Sequence, residues 1–263
     1  MYTQSPDTSQ PQARVHPTAL VEPGARLGAR CVIHAYAIVG RHCRLDEGVV
    51  VHSHAVLGGD PQDLRFDPAV NSGVHIGART VIREHVTVNR STRPESQTVV
   101  GADCFLMASS HVAHDCVVGE RVVMANAVLL AGHVHVGAHA FIGGNAVVHQ
   151  FCRIGESAMI GGGARISSDV PCYLMASERN TSYGLNLVGL RRRGVGRDAL
   201  RELKALVREL DPVGSNVRKL AQQLLEQNRY VTPEARQLLA FYTSGTRPFV
   251  RRRRDRAEES TDD

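Results

Sequence analysis

Counting every sixth residue from Val15 lands on Val15, Val21, Leu27, Ile33, Val39, Leu45, Val51 and Leu57, all aliphatic. The register breaks over 58–75, resumes at Ile76, Ile82 and Val88, and is interrupted at Pro94. It then runs unbroken through Val100, Leu106, Val112, Val118, Met124, Leu130, Val136, Ile142, Val148, Ile154, Ile160 and Ile166. Two residues before each aliphatic of this long run stands a small or β-branched residue, among them Cys104, Ser110, Cys116, Ala140 and Cys152. The residue after it is often glycine, as at 101, 119, 137, 143, 155 and 161, which suits a corner. Neither a helical period nor simple strand alternation keeps one aliphatic every six residues through 23 hexads. A short fixed period is the mark of a solenoid, and the breaks at 58–75 and 89–99 are expected to be loops thrown out from it.

The period ends after Val170-Pro171. Over 196–210, Leu200, Leu203, Leu206, Val207 and Leu210 share one helical face, and Val217, Leu220, Leu224 and Leu225 do so over 215–228. Thr232-Pro233-Glu234 reads as an N-cap with proline at the first helical position, opening a third helix through Tyr242. The expected organisation is a polar tail at 1–13, a solenoid over 14–182, a helical domain over 183–250 and a charged tail at 251–263.

The hexad pattern resembles the hexapeptide-repeat family, and the resemblance implies a mainly β chain. Three hexads would form one 18-residue triangular coil of a left-handed parallel β-helix, an exception to right-handed crossover, here followed by a C-terminal α-helical domain. With strands stacked about 4.8 Å apart, 23 hexads make a prism on the order of 35 Å long. Composition fits: 5% of residues are aromatic, tryptophan is absent, and 26 of 33 valines precede residue 186, as a narrow aliphatic core requires. Five of the six cysteines (31, 43, 104, 116 and 152) occupy the inward spacer slot, which argues against a redox framework.

The net charge of +5 comes from the C-terminal part: residues 186–263 carry 17 Lys+Arg against 11 Asp+Glu. The run Arg251–Arg254 lacks the aromatic or motif support of a nucleic-acid arm and reads as a solvated tail. No run of about 18 apolar residues predicts a transmembrane segment, and MYTQSPDTSQPQAR has no apolar region of a secretory signal. A cytoplasmic protein is expected.

All 13 histidines lie between His16 and His149. Residues 18 apart stack on adjacent coils, so His114 has Gly132 beside it and Gln150 one coil further, with His133 and His149 next to that stack. Proximity with a neighbouring carboxylate, Asp115, is what a general base needs, which separates His111, His114, His133 and His149 from nine bland turn histidines.

Around this group, HVAHDC at 111–116, LAGHVHV at 130–136, VHQFCRIG at 148–155 and SDVPCY at 168–173 resemble signature segments of the UDP-N-acetylglucosamine O-acyltransferases of lipid A biosynthesis. PQDL at 61–64, IREHVTV at 82–88 and NLVGLRRRG at 186–194 are similar too. The resemblance implies transfer of a 3-hydroxyacyl group from acyl carrier protein to the glucosamine 3-hydroxyl of UDP-N-acetylglucosamine, without cofactor or metal, in a homotrimer. It assigns His114 as general base, Asp115 as its partner and the Gly132 N–H as oxyanion donor. It places His111, His133, His149 and Gln150 against sugar or acyl groups, and Asp63 and Arg65 against the sugar and acyl hydroxyl. Asn186, Arg192 and Arg193 would meet the nucleotide, and Gly162 would set acyl length, its missing side chain leaving room for a longer chain.

Departures from the family pattern cluster at recognition positions: about one coil is absent before PQDL, and Arg65, Asn89, Val188 and the segment 177–181 are unusual. Three other readings compete. A paralogue would act on another nucleotide sugar or make an amide. A zinc enzyme of the γ-carbonic anhydrase type would use histidines across a subunit interface, and a scaffold trimer would have no organised His-Asp edge.

Overall fold

The computed structural model describes residues 12–210 and 216–253. Most hexads form a two-residue strand and a turn, with longer strands beside the two breaks: one strand residue faces out and the next, the periodic aliphatic, faces in. Successive strands go to three different sheets, and every third strand is a parallel neighbour. Arg14, Val32, Val50 and Val81 begin strands of one face, Leu20, Ile38 and Val56 of the second, and Arg26 and Cys43 of the third. The result is a three-sided prism whose core is the column of hexad aliphatics and their small spacers. Its strand phenylalanines, Phe105 and Phe141, precede the inward residue and point outward, because the triangular interior has no room for rings.

Paired strand residues are 18 apart along the regular coils, as in His111↔Leu129 and Leu129↔Val147. Across the first break the separation is 31 (Val51↔Ile82), and across the second it is 24 (Ile82↔Leu106). The two breaks therefore insert 13 and 6 residues, confined to 60–72 and 90–96 between the flanking strands. Both leave at the same corner, between the strands Val56–Gly59 and Gly73–Ile76 and between Thr87–Asn89 and Gln97–Val100.

The six cysteines are buried thiols. Burial pushes Cys43 and Cys116 up to about 12 and Cys104 and Cys152 up to about 11, so none is a ready nucleophile.

Beyond the hexads, Leu174–Ser177 and Thr181–Leu185 form an antiparallel pair that the hexad period did not announce. Among the described residues four helices follow: α1 (Leu187–Arg192), α2 (Arg197–Glu209), α3 (Val217–Glu226) and α4 (Pro233–Thr243). The short α1 lies outside the three helices expected from periodicity. Proline does open α4, but the Thr232 side chain makes no cap bond and instead donates to Glu202 at 2.7 Å. Leu190, Leu203, Leu206, Leu224, Leu238 and Tyr242 pack with Cys172 and Tyr173 of the prism end, so the helices share a core with the last coil. Arg251–Arg252, expected in the charged tail, form a strand beside Thr181–Ser182, because the free edge of that pair offers unpaired backbone groups. Arg254, the last of that arginine run, the rest of the charged tail and residues 1–11 of the polar tail lie outside the described residues.

Candidate active site

His111 and Val112 are the strand residues of one coil, and Ala113 to Cys116 turn the next corner. The third residue of each such turn takes a left-handed backbone conformation: Asp115 (φ 60°), His133 (φ 61°) and Phe151 (φ 65°) stand one above the other. Aspartate tolerates that conformation better than most residues, and at 115 it turns the carboxylate inward, where the side chain is fully buried.

Asp115 Oδ2 lies 2.8 Å from His114 Nδ1. An ionised carboxylate only accepts, so Nδ1 carries a proton, and in the neutral ring the lone pair is then on Nε2. Burial alone would push the Asp115 carboxyl up, but hydrogen bonds from Ser91, Thr92 and His114 outweigh it and hold the group well below the usual carboxylate range. The Thr92 hydroxyl donates at 2.6 Å, the Thr92 N–H and Arg93 Nε at 3.3 Å, and the Ser91 hydroxyl makes a short contact.

Gly132 lies against the His114 ring: a Cβ there would be 2.7 Å from Nε2. Its N–H has no acceptor among the described residues, so an unused donor stands beside the His114 imidazole, the kind of group an oxyanion site needs. His133 meets the His114 ring edge-on at 5.1 Å between centroids, and Phe151 stacks on His133 at 4.5 Å. His133 is held below the ordinary histidine range by burial, only partly offset by Asp115, and His111 is lowered by burial and by His114. His111 Nδ1 shares a hydrogen bond of 2.7 Å with the Thr87 hydroxyl.

A groove of roughly 680 Å³ runs from this corner across the adjoining face. His111, His114, Gly132, His149 and Gln150 line it, with Leu129 and Val147 as its apolar floor and Arg165 and Arg179 at the far end. Five of the expected site residues thus share one cavity, with Asp115 behind His114 and His133 beside it. Gln62 also lines the groove, which brings the 60–72 loop to the site. Asp63 and Arg65 pair with each other at 3.3 Å, and the Asp63 carboxyl is lowered mainly by Arg65, with a smaller contribution from His114. Gly162 is exposed at the turn before Arg165 and does not line the groove.

The three nucleotide-facing expectations lie elsewhere. Asn186 caps α1, its side chain accepting from the Gly189 N–H at 3.0 Å and donating to the Ser157 carbonyl at 3.1 Å. Arg193 binds Glu156 at 2.9 Å and the Ser157 hydroxyl, and Arg192 is exposed. Ser157 turns a different corner of the prism from His114, so within one chain these groups and the groove are apart.

Phe151 was findable in the sequence, since it lies 18 residues after His133. Ser91, Thr92 and Arg93 were not, because a six-residue insertion separates their register from that of Asp115. Ligand atoms of His114, Asp115 and His133 lie within 4.8 Å of one another, close enough for one metal ion. The Asp115 oxygens already accept from four residues, so an ion there would displace the His114 hydrogen bond.

A three-sided hexad solenoid with a histidine–aspartate pair beside an unpaired N–H on an apolar groove fits the hexapeptide-repeat acyltransferase class. A hexapeptide transferase model matches 97–132 and 133–168, and a model described as UDP-N-acetylglucosamine O-acyltransferase, domain 2, matches 169–250. An acyl-[acyl-carrier-protein]--UDP-N-acetylglucosamine O-acyltransferase of Stenotrophomonas maltophilia is 37% identical over 258 residues, covering 90% of this chain and 98% of the relative. The Burkholderia orbicola protein of the same name is 36% identical, covering 81% and 88%. The solved UDP-N-acetylglucosamine O-acyltransferase of Moraxella catarrhalis is 32% identical, with a TM-score of 0.81 over 90% of this chain and 99% of that one. The chain belongs to the UDP-N-acetylglucosamine O-acyltransferase family, and its fold is the left-handed parallel β-helix with a C-terminal helical region.

Proposed function

We propose that the protein transfers a 3-hydroxyacyl group from acyl carrier protein to the 3-hydroxyl of UDP-N-acetylglucosamine, the first step of lipid A biosynthesis. The observation that carries this reading is the His114–Asp115 pair set against Gly132 at the head of an apolar groove, in a chain of this family. His114 Nε2 removes the proton of the sugar hydroxyl as its oxygen attacks the thioester carbonyl. The Gly132 N–H donates to the oxyanion, and collapse expels the carrier thiolate, which takes up the proton from His114. Asp115 keeps the Nδ1 proton in place and balances the imidazolium. His111, His133, His149 and Gln150 bind sugar or acyl groups, Asp63 and Arg65 reach in from the 60–72 loop, and the acyl chain lies on Leu129 and Val147. No covalent enzyme intermediate is formed, in keeping with six buried, raised thiols.

In this reading the enzyme is a cytoplasmic homotrimer that needs neither cofactor nor nucleic acid. One face presents outward Val32, Val50, Val81, Phe105, Val123, Phe141 and Met159, an apolar column that a neighbouring prism would cover. The Asn186–Arg193 corner would reach the nucleotide across that contact, guanidinium against diphosphate. No described helix is long and apolar enough to cross a membrane.

The test is a matrix of purified enzyme against several UDP-sugars and 3-hydroxyacyl carrier proteins of graded length, read by mass spectrometry. O-acylated UDP-N-acetylglucosamine is the expected product, and His114→Ala should abolish it while the oligomer persists. Near-normal rates in that variant refute the base assignment, and product only from another sugar overturns the acceptor.

A further inference from the structure

The second loop, 90–96, is entered through Asn89 at the end of its strand, and the four residues Asn89-Arg90-Ser91-Thr92 face two ways. Toward the first loop, Asn89 Nδ2 donates to the Asp60 carbonyl at 2.9 Å, and the Arg90 N–H donates to the Gly59 carbonyl at 2.9 Å. The Arg90 guanidinium is almost wholly buried. It donates to Asp60 Oδ1 at 2.8 Å, to the Pro68 carbonyl at 2.8 Å and to the Val70 carbonyl, and it lies 4.7 Å from the Phe66 ring centre. One side chain thus bridges the start and end of the 60–72 loop. Between those ends, Gln62, Leu64 and Arg65 are exposed, and the loop's far end is also tied by Asn71 to Glu95 at 2.7 Å and by the Ser72 hydroxyl to the Ser91 carbonyl. Toward the base, the next two residues donate to Asp115 from the Ser91 hydroxyl and from the Thr92 hydroxyl and N–H.

We propose that residues 89–92 are a positioning element for both halves of the site: Arg90, with Asn89, fixes the loop that carries Asp63 and Arg65, and Ser91 with Thr92 fix Asp115 behind His114. The inference rests on the reading of His114 as base and of the loop as an acceptor contact. Because the two arms leave adjacent residues of one backbone, the loop and the base are held in a common frame.

The arms predict different kinetic signatures. Arg90→Lys keeps the charge but loses the planar fork that spans three acceptors, so the acceptor KM should rise about tenfold with kcat within about threefold of wild type. Ser91→Ala and Thr92→Val leave Asp115 less restrained and more basic, so kcat should fall about tenfold with KM unchanged. Each variant relieves the carboxylate of one hydroxyl donor, which leaves more of its charge to His114 and favours the imidazolium, so the acidic limb of the kcat profile should move to higher pH. Of the groups that face this pair, His111, His133 and Asp63 bond to neither substituted side chain, whereas the Arg93 N–H donates to the Ser91 hydroxyl at 3.0 Å, so Thr92→Val is the variant that leaves all four in place. Thr92→Ser should restore the wild-type profile.

Two readouts stand apart from turnover: the nitrogen-15 titration of the His114 ring, and hydrogen exchange of 60–72. Faster exchange confined to that loop in Arg90→Lys, and an upward His114 titration in Ser91→Ala, support the proposal even if the acceptor is not UDP-N-acetylglucosamine. Equal losses in kcat and KM in all variants with an unmoved pH profile overturn it, as does unchanged exchange in Arg90→Lys. Should Arg90→Lys fail to fold, Asn89→Ala tests the same arm with the same readouts.

Discussion

Replacing Gly132 with alanine puts one methyl group into space that the His114 imidazole occupies. The new Cβ would lie 2.5 Å from Cε1 and 2.7 Å from Nε2, whereas carbon atoms rest about 3.5 Å apart. The ring must therefore retreat by about 1 Å. Two restraints oppose that movement. The Nδ1 proton is held by Asp115 at 2.8 Å, and the coils are tied by His133 N–H to the His114 carbonyl at 3.0 Å and Phe151 N–H to the Gly132 carbonyl at 3.1 Å. The backbone at 132 is outside the left-handed region, so alanine itself brings no conformational strain, and its N–H stays where the oxyanion donor was. What changes is the placement of the base. A displacement of about 1 Å costs on the order of 100-fold in rate, equivalent to about 2.7 kcal/mol in the barrier. Initial rates with saturating acyl donor, measured alongside thermal unfolding, should show kcat down by that order with the unfolding midpoint nearly unchanged. Activity within threefold of wild type would mean that His114 does not act from the position it holds beside Gly132.

Gly162 lies outside the groove of the single chain, so Gly162→Met tests how far the acyl chain runs past Leu129 and Val147. A chain that continues to that turn gives a preference for shorter donors, read as the ratio of kcat/KM across the graded carrier proteins, and an unchanged ratio shows that it stops short. Extended dialysis against a zinc chelator should leave turnover within about 20% of the starting value, since the proposed proton transfer needs only His114 and Asp115. Loss of activity together with stoichiometric zinc would instead assign the His114–Asp115–His133 cluster to metal-hydroxide chemistry.

The repeat explains why so much of the site could be read early. In an 18-residue coil, sequence spacing is spatial proximity, so Gly132 beside His114 and Gln150 beyond it follow from arithmetic once the hexads are recognised. The same arithmetic relates His133 to Phe151. Hydrophobic period and spacer size likewise determined the core, the inward cysteines and the shortage of rings, because each inward position sees only its own coil and its two neighbours.

Tertiary structure decided whatever depends on a path that leaves the repeat. The 13- and 6-residue insertions carry no period, so only their folded course brings Arg90 under the 60–72 loop and Ser91 and Thr92 onto Asp115. Asn186 and Arg193 are expected at the nucleotide by motif; the fold adds that within the chain Asn186 caps α1 and Arg193 grips Glu156 and Ser157 at another corner of the prism. Arg251 and Arg252 are exposed charges as expected, but their backbone completes a sheet edge. Local periodicity specifies which side a residue faces; which corner it shares, and with what, depends on chain routing and on backbone groups seeking partners, neither of which leaves a mark on residue type.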